Sequence, residues 1–245
     1  MDKLEREATS FYNKAGAGYH KDRVSKKRFW NDFLEMPATL SLLGHVKNKK
    51  ILDVGCGTGI YAKILNDNGA KVHGIDISPK MIQLAKSYVK NVDLKVGSAY
   101  RFPYKSNYFD IVVSALVIEH LSDLDKAFRE IKRVLKKGGV FVFSLGNPVI
   151  DASHPVKGKP NSTRNFENYF RETIYTHTWG KKDGTKVRYM HRTYETIIRT
   201  IIRNGFSIED YIDAKPVLSG RKVDKNAFES TSRLPYVCVF RVRSV

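Results

Sequence analysis

Leu52-Asp53-Val54-Gly55-Cys56-Gly57-Thr58-Gly59 is an apolar strand running directly into a glycine-rich turn, with a helix-forming segment behind it. Glycine permits a tight turn and close approach of backbone to a ligand, and N–H groups at a helix start attract negative charge, so the stretch predicts a ligand site. A bare GxGxxG match does not name the ligand, and three neighbouring positions narrow it. The dinucleotide pattern asks for a third glycine at position 60, which is Ile, so the pyrophosphate signature is imperfect. Asp53, inside the strand, would repel a pyrophosphate and favour an ammonium. Asp76 closes the next apolar run, where a carboxylate accepts hydrogen bonds from both hydroxyls of a ribose.

Outward from this turn, short apolar runs alternate with helical patterns, the signature of strand and crossover-helix units. Ile51–Val54, Lys71–Ile77, Leu94–Gly97, Phe109–Leu116 and Val140–Leu145 read as five successive strands. Ser78-Pro79 is an N-cap and first-turn proline, followed by the apolar face Met81, Ile82, Leu84, Ala85 and Tyr88. Ser122 with Asp125 resembles a capping box; Leu124, Phe128, Ile131 and Leu135 recur at helical spacing behind it, and Gly138-Gly139 end the helix. These stripes read as core. The rhythm then breaks between Asn147 and Met190, a long polar loop with Pro, Gly, His and aromatics. It resumes with Thr193 as N-cap, a face of Ile197, Ile198, Ile201 and Ile202, and two last strands, Phe206–Ile212 and Tyr236–Val242. Residues 1–48 read as helical and aromatic-rich. The expected fold class is α/β: a Rossmann-like, seven-stranded, mostly parallel sheet flanked by helices, with an N-terminal helical segment and an inserted cap after the fifth strand.

A ribose, an amine, a carboxylate seated on backbone N–H groups and no pyrophosphate together describe S-adenosylmethionine. LDVGCGTG, GIDIS, FDIVVSALVIEHL and LKKGGVFVFS, in that order, resemble the motifs of class I S-adenosylmethionine-dependent methyltransferases. Within these the chain is most similar to the group related to the methyltransferases of quinone biosynthesis. The resemblance is strong over Lys50–Leu145; FYNKAGAGYH resembles the family's N-terminal segment that closes over the cofactor. It implies that Gly55, Cys56 and Gly57 line the methionine portion and that Asp53 holds the ammonium through the loop. By the same resemblance Asp76 takes the ribose, Ile77 and Met81 flank the adenine, Ser98 and Ala99 meet its edge, and Leu116 offers backbone beside the sulfonium. Tyr12 or Tyr19 lids the site. The acid that often stands near Ser98 in the family is missing from GSAY. The implied organisation is a single domain, 1–245: a helical lid (1–48), a cofactor-binding core (49–146), an acceptor-cap insertion (147–190) and a C-terminal helix with the last two strands (191–245).

Methyl transfer from a sulfonium is an in-line displacement in which alignment matters most, and a base is needed only for a protonated acceptor. His120, just past the fourth strand, is the candidate catalytic residue, because such crevices lie beyond the C-terminal ends of strands. The VIEHL segment also resembles that of quinone-pathway O-methyltransferases which bind a divalent metal, but Leu116 replaces their first carboxylate, so no metal is expected. His154, His177 and His191 border the insertion. Its aromatics, Phe166, Tyr169, Phe170, Tyr175 and Trp179, suit a planar or apolar acceptor.

Composition bounds the rest. At 245 residues and 42% hydrophobic content the chain buries one substantial core. The longest apolar run, Ile111–Ile118, falls far short of the roughly 20 residues of a membrane helix. MDKLEREATS is no secretion signal, and two cysteines, Cys56 and Cys238, make no disulfide framework, so a cytoplasmic location is expected. The net charge of +18 reads as a lysine-rich solvated surface, with nucleic acid as the alternative partner. The expected acceptor is a small molecule. The rivals are an RNA methyltransferase, a nicotinamide-dependent oxidoreductase and a non-catalytic cofactor-binding regulator. Against the first, no Cys stands in a Pro-Cys or Thr-Cys setting, and Asn147-Pro148 follows the fifth strand, not the fourth.

Overall fold

The structure, a computed structural model, describes residues 2–159, 163–179 and 185–245, with the side chains of residues 177–179 and 185 outside the description. Its strands are β1 (Lys50–Val54), β2 (Lys71–Asp76), β3 (Asp93–Val96), β4 (Phe109–Ala115), β5 (Leu135–Gly146), β6 (Ser153–Pro155), β7 (Arg164–Phe166), β8 (Ile174–Trp179), β9 (Thr185–Met190), β10 (Phe206–Asp213) and β11 (Val237–Ser244). Its helices are α1 (Lys3–Val24), α2 (Met36–Leu43), α3 (Ile60–Asp67), α4 (Pro79–Tyr88), α5 (Leu124–Val134), α6 (Pro148–Asp151), α7 (Tyr194–Arg203) and α8 (Lys225–Thr231). A π-helical turn, Trp30–Glu35, leads into α2.

One seven-stranded sheet runs in the order β10-β11-β5-β4-β1-β2-β3. β1 to β5 pair in parallel, and β11 is antiparallel to both of its neighbours. Side chains alternate across a strand, so consecutive apolar residues feed opposite faces. Ile51, Val113, Val142 and Val239 enter one core with α2, α3 and α4. Their neighbours Leu52, Val112, Phe141 and Phe240 enter the other, with α5 and α7. Both faces are covered, which is why the central strands read as unbroken apolar runs. The chain moves outward from β1 to β3 and then returns to place β4 on the other side of β1. At that reversal the connections diverge and open a crevice beyond the strand ends.

Local chemistry sets the helix starts. Asp2 and Glu5 form a reciprocal capping box on α1. Ser78 accepts from Met81 N at 3.1 Å ahead of Pro79 on α4, and Thr193 accepts from Thr196 N on α7 at 3.2 Å. On α5 the expected cap at Ser122 is corrected: Asp123 accepts from Lys126 N at 2.9 Å, while the Ser122 hydroxyl donates to Asp2.

Three other expectations change. β5 begins at Leu135 and runs through Gly138-Gly139, so the glycines bend a strand and do not close a helix. The stretch after β5 is no irregular loop: β6 pairs β7 and β8 pairs β9 as antiparallel hairpins. These strands are short and lack a clean apolar face, which hides their period. Between β10 and β11 lie a 3-10 turn (Leu218–Lys222) and α8, both unanticipated. Among the described residues no helix is long and apolar enough to cross a membrane.

Candidate active site

The crevice holds a cavity of about 890 Å³, walled by α1, the β1–α3 turn, the ends of β2 and β4, the segment after β5, and α8. Its floor is the glycine turn. Gly55, Gly57 and Gly59 all have positive φ, at 72°, 51° and 83°. A Cβ on Gly55 would overlap the Val117 side chain, and one on Gly57 would stand 4.0 Å from Tyr19. At Gly55 the close approach that demands glycine is therefore to a protein side chain, while at Gly57 the contact is ordinary and the positive φ alone favours glycine.

The backbone donors of this turn correct the expectation that they face a ligand. Gly55 N and Cys56 N both donate to Ile75 O, at 2.7 and 3.0 Å, and Gly57 N donates to Asp76 Oδ2 at 2.9 Å. With these groups spent inside the protein, the turn offers no diphosphate cradle. Arg28 is a cation lining this cavity, and its guanidinium lies 5.3 Å from the centre of the Tyr19 ring.

Asp76 reaches the cavity with one bond per oxygen, Oδ1 from Ser78 N at 2.8 Å and Oδ2 from Gly57 N. Each oxygen retains capacity for another donor. Burial pushes its carboxyl up to about 6. Ile77, Met81 and Ala99 form an apolar slot beside it. Ser98 is not in the cavity wall; its hydroxyl donates to Glu5 Oε1. Glu5, 3% exposed, does line the cavity. An acid absent from GSAY is thus brought beside Ser98 by α1.

Asp53 and Cys56 lie beneath the turn and do not line the cavity. Asp53 accepts from Ala62 N, its Oδ2 has no partner, and burial followed by the charges of Asp76 and Glu35 pushes its carboxyl up to about 8. Any hold on an ammonium passes through the loop. The Cys56 thiol fills the space over Gly74 and is pushed well above the ordinary thiol range by burial.

Tyr12, Tyr19, Leu116 and His120 all reach the cavity. Leu116 has φ 55°, an uncommon value for a branched side chain, held by donation of its N–H to Ser144 O and Oγ at 3.2 and 3.0 Å. His120 Nδ1 lies 3.2 Å from Arg188 O, which can only accept, so Nδ1 carries the proton. Nε2 is then the acceptor for the Tyr12 hydroxyl, also at 3.2 Å. Burial lowers the imidazole pKa, which keeps the ring neutral. The geometry fits a residue that fixes Tyr12 better than one free to take a substrate proton.

The segment after β5 lines the far end, but with other residues than its sequence suggested. Phe166 and Phe170 are exposed, and Tyr169 and Tyr175 pack around His191, away from the cavity. His177 and Trp179 lie outside the described side chains. His154 stands at the lip, paired with Glu167 at 3.6 Å. The wall is built from Asp151, Arg164, Tyr189 and Tyr236, with Trp30 from the N-terminal segment and Glu119 beside His120. None of these six was foreseen as a site residue. Among the described residues no group of three His, Cys, Asp or Glu is placed to hold a metal.

A seven-stranded sheet with one antiparallel member, an acid at the end of β2, an apolar slot beside it and no diphosphate cradle define a nucleoside-amino acid site of the class I methyltransferase kind. The comparisons agree. Residues 52–143 match the family described as a methyltransferase domain. An S-adenosylmethionine-dependent methyltransferase of Mesorhizobium loti superposes with a TM-score of 0.73 at 26% identity, covering 84% of this chain and 96% of that one. A Haemophilus influenzae protein of uncharacterized function is 27% identical over 88% of this chain and 89% of its own length. The ubiquinone biosynthesis O-methyltransferase of Pelagibacter ubique is 32% identical over 51% of this chain and 57% of its own length. The chain is a class I S-adenosylmethionine-dependent methyltransferase, related to the quinone-biosynthesis methyltransferases, and its cofactor is S-adenosylmethionine.

Proposed function

We propose that the enzyme methylates a small molecule held in the far end of the same cavity that takes the cofactor, by in-line displacement onto an O, N or C nucleophile. The observation that carries this reading is the cavity itself. At about 890 Å³ it lies within the usual 300–1,000 Å³ of small-molecule sites, and it is roofed by α1 and the segment after β5. A polynucleotide acceptor would call for an open groove. Two free, buried cysteines suit a reducing compartment, and the cytoplasm is the location we propose.

Asp76 is proposed to accept from both ribose hydroxyls, Ile77 and Met81 to flank the adenine, and Ala99 with the Ser98–Glu5 pair to meet its edge. The backbone of Gly55 and Gly57 borders the methionine portion, Asp53 and Cys56 stiffen that loop from below, and Arg28 meets the tail carboxylate. Leu116 supplies backbone beside the sulfonium, and Tyr12 and Tyr19 close over it, Tyr12 held by His120. S-adenosylmethionine, when bound, supplies an activated methyl on a good leaving group. What the chain adds is alignment in a dry pocket, an effect measured at up to 10⁵–10⁸ M of effective concentration in well-oriented systems. The division into lid, core, cap and C-terminal unit follows from these roles.

The test is incubation with methyl-labelled cofactor and, in parallel, deproteinised cell extract or bulk tRNA. Label recovered in the low-molecular-weight fraction supports the proposal. Label in acid-precipitable RNA, and none in small molecules, would refute it and make the +18 charge the relevant feature.

A further inference from the structure

Glu119 and Asp151 rise beyond the C-terminal ends of neighbouring parallel strands, Glu119 after β4 and Asp151 after β5, and both line the acceptor end of the cavity. They also share the wall of a small side pocket, which places them close together. Neither has a hydrogen bond or ion pair to its carboxyl from another side chain among the described residues, and Glu119 Oε2 is shut off from solvent with no partner at all. Two cations stand near, but both are committed elsewhere. Arg164 donates to Ser153 Oγ and O, Ile150 O and Tyr236 OH. Arg192 donates to the carbonyls of Ile118, Leu121 and Ser122. Glu119 and Asp151 are half-buried, and a carboxylate set into a cavity wall without such partners is costly, so the pair marks a place where a ligand supplies what the protein withholds.

We propose that Glu119 and Asp151 form a cation site at the acceptor end, that the acceptor binds there as a protonated amine, and that one of the two carboxylates takes its proton, so that the freed nitrogen lone pair forms the new N–C bond as the methyl–sulfur bond breaks and S-adenosylhomocysteine leaves. The inference rests on the small-molecule reading and names its substrate class. A cation between two carboxylates relieves their mutual repulsion, which a neutral hydroxyl does not, and an anionic acceptor would add to it. The two titrate close to neutrality. Burial pushes Glu119 up to about 8, opposed by a hydrogen bond from its own backbone N–H and by Arg192 and reinforced by the charges of Asp151 and Glu35; burial pushes Asp151 up to about 7, with Arg164 opposing. Tyr12, His120 and Tyr189 face the same space and carry no charge at these pH values, the two phenols being pushed further up and the imidazole down. The site is therefore mostly uncharged in mild acid and gains negative charge as pH rises through 7 and 8, and amine binding strengthens over that range.

The test uses two ligands of the cofactor site: S-adenosylhomocysteine, neutral at sulfur, and the analogue in which a carbon bearing an ammonium replaces the sulfur and its methyl. Calorimetry on the full chain at pH 6.0 and 8.5 reads the ratio of their Kd values. The aminated analogue should bind at least tenfold tighter at pH 8.5, with the advantage shrinking toward unity at pH 6.0. In Glu119→Gln/Asp151→Asn the ratio should be near one at both pH values, with S-adenosylhomocysteine affinity unchanged. A preference that is absent in the wild type, or that survives the double substitution, overturns the proposal. The wild-type pH comparison stands even if the double variant does not fold. Failure of the wild type to bind S-adenosylhomocysteine would instead sink the cofactor reading. In the labelled-methyl assay the product should be a methylated amine, and a methyl ester as product counts against the site.

Discussion

Replacing Asp76 with alanine removes the acceptor for two ribose hydroxyls together with the bonds from Gly57 N and Ser78 N. Hydrogen bonds to a charged group contribute about 1.5–3 kcal/mol each, so losing two to the ligand costs about 3–6 kcal/mol. That corresponds to a rise of roughly 10² to 10⁴ in the Kd of S-adenosylhomocysteine. Asp76→Asn, which keeps one acceptor oxygen, should lose about half as much. The carboxyl, raised to about 6 by burial, adds a second signature. Ribose hydroxyls favour its ionised form, so wild-type affinity should be flat above about pH 7 and fall as pH drops through 6, by at most about tenfold per unit. The alanine variant has no such carboxyl and should lose this limb. Calorimetry from pH 5 to 8, beside a thermal melt at each pH, measures both effects. A Kd within threefold of wild type in Asp76→Ala, with the melting temperature unchanged, would refute the placement of the ribose.

Three further outcomes are expected. Gly55→Ala forces a side chain into left-handed backbone and against Val117, at about 1–2 kcal/mol for the conformation and 1–3 for the overlap, so thermal denaturation should register a loss of about 2–5 kcal/mol. His120→Ala and Tyr12→Phe should each loosen the lid, raising the dissociation rate of S-adenosylhomocysteine to a similar degree, and the double variant should be no worse than either. Stopped-flow displacement reads this, and additive losses would separate the two residues. Glu5→Gln keeps the shape of the α1 anchor but removes its charge, and it should weaken the adenosine ligand by roughly three- to tenfold, about 0.7–1.4 kcal/mol, while sparing an analogue with a carbonyl in place of the adenine amine. Equal losses for both ligands would take Glu5 off the adenine.

The central fold was legible because β1, β2, β4 and β5 feed apolar residues to both faces of the sheet and some helices carry their own punctuation, as Ser78-Pro79 does for α4. Asp76 stands out as the acid that closes the apolar run of β2. Less could be read where polar residues serve the tertiary structure. The turn's N–H groups point at Ile75 and Asp76, which no local pattern in Gly55-Cys56-Gly57 foretells. Ser98 and Glu5 meet from 93 positions apart, and His120 finds Tyr12 from 108. Asp151 sits in a four-residue helix with no periodicity to expose it. The hairpins β6–β7 and β8–β9 present mixed polar and apolar residues on both sides, so strand alternation never stands out against a loop.

The proposed site grips an adenosine-linked amino acid and refuses a diphosphate. Titration of the purified chain by calorimetry with S-adenosylhomocysteine and, separately, with NAD, at pH 7.5 and the same ionic strength, tests it directly. Micromolar uptake of the former at one per chain, with no heat from NAD up to millimolar, is the expected result. Saturable NAD binding with S-adenosylhomocysteine ignored would contradict it.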